Sequence, residues 1–132
     1  MSDSEFGGVA LSASLTVNDL GKSLAWYGDV VGCAVDEKYE RDGKLIAASL
    51  KAGEVSLLLA QDDGKSGWER VKGVGFSLMI TTDQNIDDLA SGIKARGGTL
   101  LSEPADMPWG QRMFRLQDPD GFKLTISSER PR

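Results

Sequence analysis

The sequence predicts an α+β fold built as two tandem βαβββ modules, 9–60 and 74–129, joined by a linker over 61–73. Three observations carry this expectation. A strand-like alternation followed by a capped helix occurs twice along the chain. Each helix is followed by three short apolar–polar runs separated by turn residues. The helices sit at matching places in the two halves, bracketed by Asp19 and Gly32 in one and by Asn85 and Gly97 in the other. A unit repeated in this way marks an internal duplication.

Residues 1–8 are polar and glycine-containing and read as a disordered tail. From Val9 onward, Leu11, Ala13, Leu15 and Val17 alternate with Ser12, Ser14 and Thr16, the pattern of a strand with one buried face. Asn18 or Asp19 then caps a helix over about 19–30. Its apolar face is Leu20, Leu24, Tyr27, Val30 and Val31, with Trp26 beside it, and Gly32 stops it. Runs 34–41, 44–51 and 54–60 read as strands, with Asp42-Gly43 as a two-residue hairpin turn. The linker is polar and glycine-rich, and Trp68 breaks its polarity. In the second half, Phe76, Leu78 and Ile80 alternate with Ser77, Met79 and Thr81. A helix follows over about 84–96, with Ile86, Leu89, Ile93 and Ala95 on one side and Gly97-Gly98 at its end. Strands near 99–102, 111–117 and 122–128 complete the unit. Pro104 and Pro108 bracket the loop between the first two of these, and Asp118-Pro119-Asp120-Gly121 is a tight-turn sequence between the last two.

With 132 residues, 40% of them apolar and 27% charged, the composition is that of an ordinary soluble globular domain. No apolar run approaches the ~20 residues that span a bilayer. The acidic, polar N-terminus does not read as a secretory signal. A single cysteine, Cys33, leaves no internal disulfide, and the expected compartment is the reducing cytoplasm. The net charge of −5 argues against nucleic acid and anionic membranes as partners. The most informative count is that of histidine, which is zero. No imidazole is available as a general base, as partner to a nucleophile or as a metal ligand. Cys33 accordingly reads as a small buried apolar residue and not as a nucleophile.

The motifs Leu15-Thr16-Val17-Asn18-Asp19-Leu20, Trp26-Tyr27, Asn85-Ile86-Asp87 and Asp118-Pro119-Asp120-Gly121 stand in one order. Over roughly 9–128 the chain resembles the vicinal oxygen chelate superfamily, which includes glyoxalase I, bleomycin-resistance proteins and extradiol dioxygenases. The resemblance implies that each module curls its sheet into half of an open barrel around a cavity. In the metalloenzymes of that superfamily, ligands project into the cavity from the first and fourth strands of each module. Carried over by motif, those positions fall at Ser12, Leu58, Ser77 and Thr125. Hydroxyls and a leucine cannot hold a divalent cation against water, so no metal and no cofactor is expected. The bleomycin-resistance branch, whose members lack the metal set and sequester a drug at a dimer interface, is the better match. Its Trp-Gly entry and Asp-Pro-x-Gly turn are present here between Trp109 and Gly121.

The expected function is metal-independent binding of a small organic ligand, such as an antibiotic, by a homodimer. Candidate ligand-binding residues are Ser12, Ser14, Leu58, Ser77 and Thr125 on the faces turned to the cavity. Met79, Met113 and Arg115 join them by strand alternation, Trp68 as part of a linker at the cavity rim, and Trp109 as a site wall that opens a strand after Pro108 and beside Gly110. Each has a plainer reading: the methionines as gap fillers, Arg115 as a solvated strand charge, Trp68 as a side chain packed down on the domain, Trp109 as hairpin packing. The second functional expectation is a divergent lyase, isomerase or dioxygenase of the same superfamily. Its acids and bases would come from carboxylates, Lys123, Tyr39 or Cys33. The third is an interaction module with a vestigial cavity.

Overall fold

The computed structural model describes residues 4–130. The first three tail residues lie outside the described residues, and 4–12 form neither helix nor strand. The first module runs β1 (Ala13–Val17), α1 (Leu20–Ala25, continued by a π-helical segment, Trp26–Val31), β2 (Ala34–Arg41), β3 (Lys44–Ala52) and β4 (Val55–Gln61). The second runs β5 (Ser77–Thr82), α2 (Ile86–Ala95), β6 (Leu100–Asp106), β7 (Arg112–Gln117) and β8 (Lys123–Ser128). The two sheets have equivalent orders, β1-β4-β3-β2 and β5-β8-β7-β6. In each, the first strand pairs in parallel with the last, as Leu15 with Leu59 and Ile80 with Ile126, and the other pairings are antiparallel. This is the expected pair of tandem modules, with no closed barrel.

Local chemistry accounts for most element ends. The Asp19 carboxylate accepts from Lys22 N and caps α1, and Asn85 accepts from Asp88 N and caps α2. The first helix differs from the uniform α-helix expected. After Ala25 it widens to π pitch, so that the Tyr27 carbonyl accepts from both Gly32 N and Cys33 N. Two strand limits also differ. Val9 and Leu11 precede β1, whose ladder with β4 begins at Ala13 opposite Leu57, and Leu11 is 98% exposed. Pro104 lies inside β6 and not in a loop. It sits on an edge strand between the paired residues Ser102 and Ala105, where the register shifts and no ladder donor is needed.

One face of each sheet carries the core. Leu15, Val17, Leu50, Leu57 and Leu59 in the first module join Phe114, Leu116, Leu124 and Ile126 in the second. Burying a side chain of this size contributes ~1.5–3 kcal/mol. The helices cover these faces: α1 lies on β3 and β4, and α2 on β6, β7 and β8. The modules meet where the end of α2 touches the π-helical segment. Gly98 is required there, since a Cβ would sit 2.5 Å from Ile93 Cγ2 and 2.7 Å from Val30 Cγ1. Arg96 crosses the same seam and donates from Nε to the Val30 carbonyl at 2.9 Å. Among the described residues, no helix is long and apolar enough to cross a membrane.

Candidate functional site

Strand alternation leaves a second face on each sheet, turned away from the helices. In β1, Ser14 and Thr16 are exposed between the core residues Ala13, Leu15 and Val17. In β4, Leu58 is half-buried between Leu57 and Leu59. It stands directly beside Ser14 in the parallel register. In the second sheet, Thr125 stands between Met79 of β5 and Arg115 of β7. Met79 is 59% exposed and Arg115 is exposed, whereas Phe114 and Leu116 on either side of Arg115 are core. Ser14 and Leu58 thus share the helix-free face of the first sheet, and Met79, Arg115 and Thr125 that of the second.

The structure brings some of these residues together and not others. Ser12, Ser14, Ser77 and Met79 line one cavity of about 400 Å³ where β1 and β5 face each other. Phe76 and Leu11 complete its apolar wall. Leu58, Met113, Arg115 and Thr125 lie outside that cavity on the central strands. Met113 and Thr125 are each only 3% exposed, so solvent does not reach them. Beside them, Gln111 folds over the sheet. Its amide nitrogen donates to Ser127 Oγ at 2.9 Å and to the Ser128 carbonyl at 3.0 Å. Trp109, 57% exposed, stands on the turn that Gly110 N closes onto the Met107 carbonyl at 2.9 Å. Trp68 is equally exposed and lies over Gly64, where a Cβ would overlap the indole.

Fit to a metal is poor. Ser12, Leu58, Ser77 and Thr125 offer three hydroxyls and a hydrocarbon, and among the described residues no group of three His, Cys, Asp or Glu side chains converges. Two of the candidate acids and bases, Cys33 and Tyr39, are shifted away from ionisation. Burial pushes the Cys33 thiol up, away from the thiolate. Tyr39 donates to Glu37 Oε2, and this hydrogen bond raises its phenol further from ionisation. Tyr27 is pushed far up, first by burial and then by the Asp118 carboxylate.

The family model for the Glyoxalase/Bleomycin resistance protein/Dioxygenase superfamily matches residues 9–126. The chain belongs to that superfamily. Among its relatives, a protein of Synechocystis sp. described as a probable lactoylglutathione lyase is 27% identical over 122 residues, covering 88% of this chain and 92% of its own length. A Vibrio cholerae protein with the same description is 29% identical over 122 residues, with 88% and 87% covered. Among solved structures, TioX from Micromonospora sp. ML1 superposes with a TM-score of 0.73 at 18% identity, covering 92% of this chain and 98% of its own. A superfamily member from Sphaerobacter thermophilus gives 0.74 at 24% identity with the same coverage. These likenesses establish the glyoxalase/bleomycin-resistance fold.

Sequence reasoning missed the polar clamp that folds the linker onto Asp62 and ties it to Asn18, between β1 and α1. The Asp62 carboxylate accepts from Lys72 Nζ at 2.8 Å, Arg70 Nη2 at 3.0 Å and Gly64 N at 2.8 Å. Lys72 Nζ also donates to Asn18 Oδ1 at 2.6 Å. These donors hold the Asp62 carboxyl well below the usual range, with Lys72 the largest cause. The signal in sequence was faint, two adjacent aspartates ahead of three basic residues in a polar stretch, which also fits a solvated linker.

Proposed function

We propose that this superfamily member is a metal-independent binding protein for a small organic ligand, held on the helix-free faces of its sheets. The observation that carries the reading is the donor set. The four positions implied as metal ligands are Ser12, Leu58, Ser77 and Thr125, in a chain without histidine. Ligand polarisation by a cation has no support in such a set, whereas apolar contact with a few hydroxyls does. Met79, Trp109 and Arg115 supply an adaptable wall, a flat aromatic and a cation. A homodimer would complete the site. Edge strand β2 is exposed along all of its length, and Leu11 and Phe76 leave apolar surface at the β1–β5 cavity. An antibiotic is the ligand class we would screen first.

The test has two parts. Protein purified without chelator is analysed for metal, and stoichiometric zinc, nickel, iron or manganese would overturn the reading. A thermal-shift screen with bleomycin and polyaromatic antibiotics should then yield a stabilising ligand. The expected gain is ~2.7 kcal/mol at a hundredfold excess over the dissociation constant. Sedimentation checks the dimer.

A second reading, a lyase, is favoured by the two relatives described as probable lactoylglutathione lyases. Turnover of lactoylglutathione by the purified protein, with and without added nickel or zinc, separates it from the first.

A further inference from the structure

We propose that the cleft between the helix-bearing faces of the two modules is a second small-molecule site, selective for apolar organic cations. It opens on the helix side of the sheets and adjoins the β1–β5 cavity at Val55, Leu57 and Ile80, which line both, whereas Cys33 lines the cleft alone. The cleft is open to solvent along one side and has a volume of about 1260 Å³. That is at or above the ~300–1,000 Å³ of small-molecule pockets. Both modules build it. Leu57 and Ile126 contribute core surface to it, and the half-buried Val31, Val55, Ile80 and Leu89 line its sides.

Its charge decides the ligand class. Four ionised side chains line the cleft: Glu54, Asp83, Glu129 and Arg96. Three are anionic. The one cation, Arg96, is tied down by hydrogen bonds to the carbonyls of Val30 and Val31, at 2.9 and 3.4 Å. The N-terminus of α2 opens beside Thr82 and Gln84, but it supplies no free positive pole. Asn85 caps it, and Asp87 and Asp88 occupy its first turn. The opening is thus net negative over apolar walls, in a chain of net charge −5. A cation with a hydrocarbon shell satisfies both features, whereas an anion of the same shape meets repulsion at the entrance.

The cleft carries its own reporter. Cys33, the sole cysteine, lines it and is half-buried. Tetraphenylphosphonium and tetraphenylborate have nearly the same shape and opposite charge. The full chain is treated with iodoacetamide in the presence of each, and Cys33 alkylation is followed by intact mass. Tetraphenylphosphonium should slow alkylation about tenfold at ten times its dissociation constant, as occupancy requires. Tetraphenylborate should not protect at the same concentration. The combined Glu54→Gln, Asp83→Asn and Glu129→Gln variant should lose the preference for the cation. Protection by neither ion, equal protection by both, or a preference that survives in the triple variant would each overturn the proposal. The comparison of the two ions on the unsubstituted chain stands whether or not the triple variant folds.

Discussion

Tyr27 and Asp118, 91 residues apart, are joined by a buried hydrogen bond in which the tyrosine hydroxyl donates to Asp118 Oδ2 at 2.8 Å. The same carboxylate accepts through Oδ1 from the backbone N–H groups of Asp120 and Phe122, at 2.9 and 2.8 Å. One side chain therefore shapes the last hairpin turn and fastens it to the first helix. Asp120 adds a second tie, accepting from Asn18 N at 2.9 Å and from Ser23 Oγ at 3.3 Å. The two modules act as one body because the turn of one is bonded to the helix of the other.

Tyr27→Phe tests this tie through its pH dependence. Burial raises the Asp118 carboxyl above its ordinary value, and the Tyr27 hydrogen bond is the main influence holding it down. A carboxyl raised by folding favours the native state fully below its unfolded pKa, ~3.9. That advantage is lost as pH rises through the folded value. Removing the donor raises the folded pKa further and leaves the carboxylate one bond short. The expected loss is ~1–3 kcal/mol at pH 7 and clearly less at pH 4. Urea unfolding at both pH values measures it, and equal losses would refute the role given to Asp118 ionisation.

Asp62 should behave in the opposite sense. Its carboxyl is lowered by Lys72, Gly64 and Arg70, so its contribution is present above the unfolded pKa and is lost as pH falls through the folded one. Asp62→Asn should lower Tm at pH 7 and flatten the decline of Tm below pH ~4. A variant whose acid decline matches that of the parent would show that the clamp does not form in solution.

Gly73 holds the linker against the hairpin turn. Its φ is +76°, and a Cβ would lie 2.5 Å from the Gly121 carbonyl oxygen and 2.9 Å from Phe122 Cα. Those are backbone atoms and cannot swing aside. Gly73→Ala should cost ~1–3 kcal/mol from the left-handed backbone, with the overlap adding to it. It should also speed proteolysis between Asp62 and Phe76. A change below ~0.5 kcal/mol would mean that the linker is not docked.

The alternation of small local patterns made much of this fold legible before any coordinates. Leu15 and Val17 pointed inward, Arg115 and Phe114 fell on opposite faces, and Asp19 announced a helix. Pro104 misled because a proline between two runs usually marks a loop, whereas an irregular edge strand tolerates it. The π-helical stretch after Ala25 and the Tyr27–Asp118 bond left no local signature, since one depends on hydrogen bonds shifted by a single residue and the other on contact across the chain. The site was legible as faces and not as a pocket. Alternation put Thr125 and Met113 on the open face, but only the fold shows them shielded from solvent beside Gln111. The clamp around Asp62 reads as solvated charge until Lys72 is seen to reach both Asp62 and Asn18.

Trp109→Ala separates binding from folding on the helix-free face. The indole is exposed, and the turn beneath it is held by backbone hydrogen bonds, Met107 N to the Gln111 carbonyl at 2.7 Å and Gly110 N to the Met107 carbonyl. Truncation therefore removes little that holds the chain together, and stability should change by less than ~0.5 kcal/mol. An aromatic stacking partner contributes ~0.5–1.5 kcal/mol beyond the area it covers. A flat ligand from the thermal-shift screen should thus bind the variant ~2- to 10-fold more weakly, with the unfolding midpoint of the free protein unchanged. Titration calorimetry measures the affinity. An unchanged dissociation constant would remove Trp109 from the site and leave the β1–β5 cavity around Ser14 and Met79 as the place to look.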